Sequence, residues 1–314
     1  MQHVRFMTWC SSCVSGMHLP AFAASATGLF GDHGLEVEFV ACPTNLATAE
    51  AVAGGHADFA LTSVAYLLAA QTAAAGRLPV RFIATAHQRN PIVGVVRQDS
   101  DLFGPTDLPG ARTARWSMPG YAQEYAGALD YMGLGAPVMV DTPGDLDPAM
   151  GSGDIDVIPV WIDDTTRARL RGMTLHHDRA DFGIRAIPLD IPIYSTGLVA
   201  ADRLPSEVTC RMRDALVAGY EHQRQEPEPG LDAFGRHFPG VSEEHARVNW
   251  ALFEPYAFDG VPPGNMDAER WEKTIAHTAK THGVSTFAGE QIYRPELLAP
   301  EYGGVEPRAI GSVR

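Results

Sequence analysis

Cys10-Ser-Ser-Cys13 sets two thiols between the apolar run Val4–Trp9 and a helix-forming stretch that starts near Met17. A thiol just ahead of a helix faces unpaired backbone N–H groups, which favour the thiolate and so make a nucleophile. Cys13, with Cys10 as its competitor, could then attack a substrate sulfur or carbon, and His18, His56 or His87 could move the proton. Cys10-x-x-Cys13 with His18 is also half of a zinc site, but no second cysteine pair stands at a usual spacing. His176-His177-Asp178 reads as solvated surface, since adjacent histidines on a strand point to opposite faces. No phosphate loop, serine elbow or HExxH motif is present, and neither a metal nor another cofactor is expected.

A second set of residues suits binding without chemistry. Ser15, Thr62, Ser63, Arg89, Ser117, Gly120 and Trp161 all fall beside expected strand ends. Helix-start N–H groups and hydroxyls there suit a small anion or polar ring. Arg89 could clamp a carboxylate, sulfonate or phosphate, or lie in a surface ion pair. Ser117-Met-Pro-Gly120 offers a hydroxyl cap with Pro in the first turn, which is either a plain helix cap or a ligand contact. Trp161 closes the run Asp156-Val-Ile-Pro-Val and could stack on a flat ligand or pack in the core.

The elements that would position these residues follow from periodicity. Strands are expected near 4–10, 35–41, 57–61 and 80–86, with helices near 17–28, 45–54 and 63–75; Gly28 closes the first helix. Val64–Ala75 is apolar almost all round and should lie deep against a sheet. Further on, strands near 90–96, 111–116, 137–141 and 155–160 accompany a helix over 121–131, and 188–195 returns the chain to a strand at 197–201. A long amphipathic helix runs from Pro205 to Tyr220. The tail from 241 is helical in two blocks around Gly260-Val-Pro-Pro-Gly264, and 289–314 reads as irregular.

Three stretches resemble a known family: Ala24-Ser-Ala-Thr-Gly-Leu-Phe-Gly-Asp-His-Gly-Leu-Glu-Val-Glu38, Gly54-Gly-His-Ala-Asp-Phe-Ala-Leu-Thr-Ser63 and Gly151-Ser-Gly-Asp-Ile-Asp-Val-Ile-Pro-Val-Trp161. They resemble the type II periplasmic-binding-protein fold, in the branch of alkanesulfonate, taurine, nitrate and thiamine-precursor binding proteins. The resemblance implies an α/β protein of two Rossmann-like lobes with mixed sheets and an interlobe ligand cleft. Lobe 1 would take residues 1–92 plus 193–314, including the C-terminal helices, and lobe 2 residues 93–192. The branch also includes a sulfinate desulfinase with a reactive cysteine ahead of the first helix; counting back from Gly28 puts that position nearer Ser15 than Cys13. A pyrimidine synthase of the branch carries a histidine where this chain has Tyr66.

Bulk properties narrow the function. A 314-residue chain with 45% hydrophobic residues can bury two cores. A net charge of −14 and a pI near 5.2 argue against nucleic acid, and no run approaches the ~20 apolar residues of a membrane span. Four scattered cysteines suit free thiols. The first residues carry no secretory signal, so the expected location is cytoplasmic if Met1 is the natural start; otherwise the protein is exported with its leader removed. The expected function is binding of a small anionic or heterocyclic organic molecule in the manner of a substrate-binding protein, with an ABC transporter permease as partner if exported. The alternative is a cytoplasmic cysteine-dependent lyase or hydrolase, desulfinase-like, acting on a small aromatic or sulfur-containing substrate.

Overall fold

The computed structural model describes residues 1–8, 15–42, 47–116, 119–143, 146–162 and 183–298. The chain divides into two compact units. The first holds Met1–Arg89, Ile193–Ala279 and Gly283–Arg308; the second holds Asn90–Pro192 with Lys280–His282.

The first unit is built on a five-stranded mixed sheet of order β2-β1-β3-β10-β4, with β1 at Gln2–Thr8, β2 at Leu35–Ala41, β3 at Phe59–Ser63, β4 at Val80–Thr85 and β10 at Thr196–Ala201. β1 pairs in parallel with β2 and β3, while β10 runs antiparallel between β3 and β4. The carboxyl ends of β1 to β4 therefore share one edge with the start of β10. Helices α1 (Leu19–Ala26), α2 (Leu29–Asp32), α3 (Thr48–Ala53) and α4 (Val64–Ala73) connect these strands. Apolar on nearly every face, α4 buries Val64, Ala65, Leu67, Leu68 and Ala70, as its composition predicts. Gly28, at φ 80, takes the left-handed conformation that ends α1 as the sequence implies.

β3 begins two residues later than the sequence suggests, because Asp58 is a clasp and not a strand residue. Its carboxylate accepts the Arg5 N–H at 2.8 Å and pairs with Arg203 at 2.7 Å. The later helices α7 (Ser206–Gln225), α8 (Pro227–His237), α9 (Glu243–Ala257) and α10 (Ala268–His282) complete this unit, apart from the last turn of α10. Phe22 of α1 stacks on Phe39 at 4.6 Å and meets Phe234 and Phe238 edge-on at 5.6 and 5.7 Å. α1 and α7 approach so closely at Gly219 that a Cβ there would lie 2.3 Å from the Pro20 carbonyl oxygen.

The second unit pairs β5 (Ile92–Arg97) antiparallel with both β8 (Ile158–Trp161) and β9 (Ile184–Pro188). β6 (Arg112–Arg115) and β7 (Val138–Asp141) form a parallel pair, and a bridge between Thr113 and Val157 joins β6 to the approach of β8. Helix α5 (Pro119–Tyr131) lies between β6 and β7 in the chain and packs on β5 and β8; α6 (Leu146–Gly151) follows β7. The fold class is α/β, with mixed sheets as expected. β9 and α8 are elements the sequence reading did not anticipate.

Candidate functional site

The carboxyl-end edge of the first sheet is lined with buried hydroxyls. Thr8 closes β1, Thr62 and Ser63 close β3, Thr85 closes β4, and Thr196 opens β10 opposite Ser63. Ser63 caps α4: its Oγ accepts the Tyr66 N–H at 3.1 Å, and the Val64 N–H is taken by the Ser195 carbonyl at 2.8 Å. The Thr62 hydroxyl accepts from Thr48 of α3 at 2.9 Å. Ser15 and Thr196 are each 1% exposed, and among the described residues neither hydroxyl oxygen has a hydrogen-bond partner. Burying such a group unpaired costs about 1–3 kcal/mol, so each of the two, Thr196 at this edge and Ser15 ahead of α1, points to a polar partner.

Of the histidines named from the sequence, His18 and His87 lie beside Ser15 and Thr196, the His87 N–H donating to the Thr196 carbonyl at 3.1 Å, while His56 does not. His18 sits at the start of α1, with Nδ1 3.2 Å from the Ser15 carbonyl oxygen. His56 is exposed in the turn before β3, at the opposite edge of the sheet from Ser63. His87 follows β4, packs edge-on against Phe253 at 5.0 Å, and burial lowers its pKa to about 3. It is therefore a poor general base. Arg89 forms a buried ion pair with Asp259 at 3.1 Å, both side chains 4% exposed, and its guanidinium lies 5.5 Å from the Tyr256 ring centroid. Cys10, Cys13, Ser117 and His176-His177-Asp178 lie outside the described residues, as does 299–314. Cys42 is a buried free thiol at the end of β2 and Cys210 a partly exposed one on α7.

Trp161 lies in the second unit, at the end of β8, as a buried side chain. Its ring faces Tyr121 at 5.7 Å, and Tyr121 faces Trp116 at 5.8 Å. The indole Nε1–H donates to Glu124 Oε2 at 2.7 Å. Glu124 stands one turn after Tyr121 on α5, and the Asn90 side chain also donates to it. Asn90 Oδ1 accepts the Ile92 N–H at 2.9 Å, which leaves its NH₂ group to serve as the donor. Burial nevertheless dominates and pushes the Glu124 carboxyl up to about 7. His282, on the last turn of α10, places Nε2 4.0 Å from Glu124 Oε1, and burial holds it below the usual histidine range. Gly120, the remaining residue named from sequence, lies in the first turn of α5, and no atom comes within 4 Å of where its Cβ would stand.

Glu124, Thr196 and Asn249 are the residues sequence reading did not single out. Asn249, buried on α9, accepts the Gly16 N–H through Oδ1 and so caps the turn leading into α1. The one local signal was the i, i+3 spacing of Tyr121 and Glu124, which puts both on one helix face. A separate open groove of ≈ 490 Å³ runs along α5 past Arg115, Gln123, Asp130 and Lys280, and holds none of the residues singled out from sequence. Its cations are matched, Arg115 by Asp141 and Lys280 by Asp130. Among the described residues no cluster of three His, Cys, Asp or Glu could hold a metal, and no helix is long and apolar enough to cross a membrane.

This architecture is that of the periplasmic binding proteins. The periplasmic aliphatic sulphonate binding protein SsuA from Escherichia coli superimposes with a TM-score of 0.65 at 17% identity, over 99% of this chain and 97% of that one. The alkanesulfonate-binding protein SsuA from Xanthomonas axonopodis pv. citri, bound to MOPS, gives 0.58 at 13% identity over 95% and 98%. A Candida albicans gene product with the generic periplasmic binding protein fold gives 0.56 at 12% over 93% of each chain. No curated protein matches by sequence. Residues 15–229 match the NMT1/THI5-like family, and the chain belongs to that family.

Proposed function

We propose that this protein is a substrate-binding protein that holds a small organic anion, of which a sulfonate is the foremost candidate, at the hydroxyl-lined edge of the first sheet. The observation that carries the reading is that the buried hydroxyls of Thr196, on that edge, and of Ser15, ahead of α1, have no hydrogen-bond partner among the described residues. Ser63 and Thr62 end β3 beside Thr196 of β10, and α4 starts there. With Arg89 already matched by Asp259, recognition would rest on hydroxyls rather than on a guanidinium. Similarity to the sulfonate-binding proteins supports the anionic class. The same reading implies an exported protein that delivers its ligand to an ABC transporter permease.

Calorimetry and thermal-shift titration with short alkanesulfonates, taurine, carboxylates and pyrimidines test this. Saturable binding of a sulfonate is expected, weakened about 10- to 150-fold by Ser15→Ala or Thr196→Val, the equivalent of one hydrogen bond to a charged group. Affinity unchanged in both variants would remove the hydroxyl edge from recognition. Turnover of a sulfur compound together with rapid alkylation of Cys10 or Cys13 would instead favour the cysteine-dependent lyase or hydrolase.

A further inference from the structure

We infer that Arg270 is a positioning residue for the ligand edge: it fixes the Thr196 hydroxyl by gripping the two stretches of chain that hold Thr196, and it does not itself touch the ligand. This rests on the anion reading and names the device that keeps its site in place.

The Thr196 carbonyl accepts two backbone N–H groups, from Ala86 at 2.8 Å and from His87 at 3.1 Å, so the stretch leaving β4 sets where Thr196 stands. Gln88, 1% exposed, anchors that stretch. Its N–H donates to the Tyr256 carbonyl at 2.7 Å, and its Nε2 donates to Thr85 Oγ1 at 2.7 Å and to the Asn265 carbonyl at 3.0 Å. The Gln88 carbonyl accepts from Arg270 Nη1 at 2.9 Å. Two residues before Thr196, Tyr194 donates its N–H to Thr274 Oγ1 at 3.0 Å and accepts the Asp267 N–H through its phenol oxygen at 2.8 Å. The Arg270 guanidinium lies 5.5 Å from the centroid of the Tyr194 ring. One side chain of α10 therefore meets both stretches. It is itself fixed, because Asp267 caps α10 by accepting the Arg270 N–H at 2.7 Å.

A hydrogen-bonding group serves recognition when it is held within about 0.5 Å of its productive place. The Thr196 hydroxyl has no partner among the described residues, so its stiff β-branched side chain is placed by the backbone. A guanidinium bonded to a carbonyl and lying against an aromatic ring ties that backbone down more firmly than a neutral contact would.

Arg270→Leu and Arg270→Lys test this, by amide hydrogen exchange in NMR spectra of the ligand-free full chain and by calorimetry with a short alkanesulfonate. In Arg270→Leu the Ala86 and His87 amides should exchange about tenfold faster or more, while the Phe6 amide of β1 keeps its rate; Arg270→Lys, which retains a charged donor, should restore most of the protection. Sulfonate affinity should fall about 3- to 10-fold in Arg270→Leu, and adding that change to Thr196→Val should cost less than about twofold more, since both act through one hydroxyl. Unchanged exchange at residues 86 and 87, a rise shared equally by Phe6, or losses that multiply in the double variant would each overturn the inference, the last by making Arg270 a direct ligand contact. Arg270→Gln takes the place of the leucine variant if that one fails to fold. A natural protein that binds no sulfonate would sink the anion reading, while the exchange comparison still decides whether Arg270 holds Thr196.

Discussion

Burial against Phe253 leaves the His87 imidazole, 1% exposed, without the solvent that would stabilise its charged form. Its folded pKa of about 3 lies far below the unfolded 6.5, so the unfolded chain binds the proton first as the solution is acidified. Stability from this residue is complete above pH 6.5 and drains away as pH falls toward 3, to an upper bound of about 5 kcal/mol. Thermal melts of His87→Gln should accordingly show a flatter acid limb between pH 6.5 and 4 than the natural protein; parallel limbs would assign the acid loss elsewhere. Glu124 acts in the opposite direction. Its folded pKa of about 7 exceeds the unfolded 4.5, so the structure is most secure below pH 4.5 and weakens as pH rises through 7. In the absence of ligand, Glu124→Gln should raise the melting temperature at pH 8, by the equivalent of roughly 1–3 kcal/mol, and leave it nearly unchanged at pH 4.5.

At the scale of elements, the helix starts and the aromatic seam carry the testable weight. Ser63→Ala removes the cap of α4 and should cost about 1 kcal/mol in denaturant unfolding. Phe22→Ala opens the seam where α1, β2 and α8 meet and should cost about 3–5 kcal/mol; a loss below 1 would mean the rings carry little of the core. The same elements explain what the sequence disclosed. α4 was legible because its composition leaves no polar face, and α1 because Gly28 stops it. α8 was hidden by Pro227, Pro229 and Gly230, which read as a break although a proline in the first helical turn costs no backbone bond. β9 was hidden because its residues do not alternate: four of the five are half-buried. Ser15, Thr62, Ser63 and Trp161 could be named because strand ends are visible in a sequence. The Asn249 cap on Gly16, 233 residues away, could not, since only folding brings those atoms together.

Over the whole molecule a charge of −14 surrounds a site proposed to take an anion. Such a field repels the ligand on approach, and salt screens it over about 10 Å at 0.1 M. Raising ionic strength from 20 to 200 mM should therefore leave sulfonate affinity unchanged or modestly higher; a tenfold drop would reveal a cation at the site. The placement of β10 between β3 and β4 has a consequence of another kind. The first sheet is split in sequence, with four strands complete by Thr85 and the interior strand not reached until Thr196. On a ribosome adding ~5–20 residues per second, β3 and β4 wait roughly 5–20 s with their facing edges unpaired. Stalled nascent chains ending near residue 190 should keep residues 1–89 open to protease, and a short extension past Ala201 clear of the exit tunnel should protect them. The interior strand is thus a timer, and the emerging chain depends during that interval on whatever shields an open sheet edge from its neighbours.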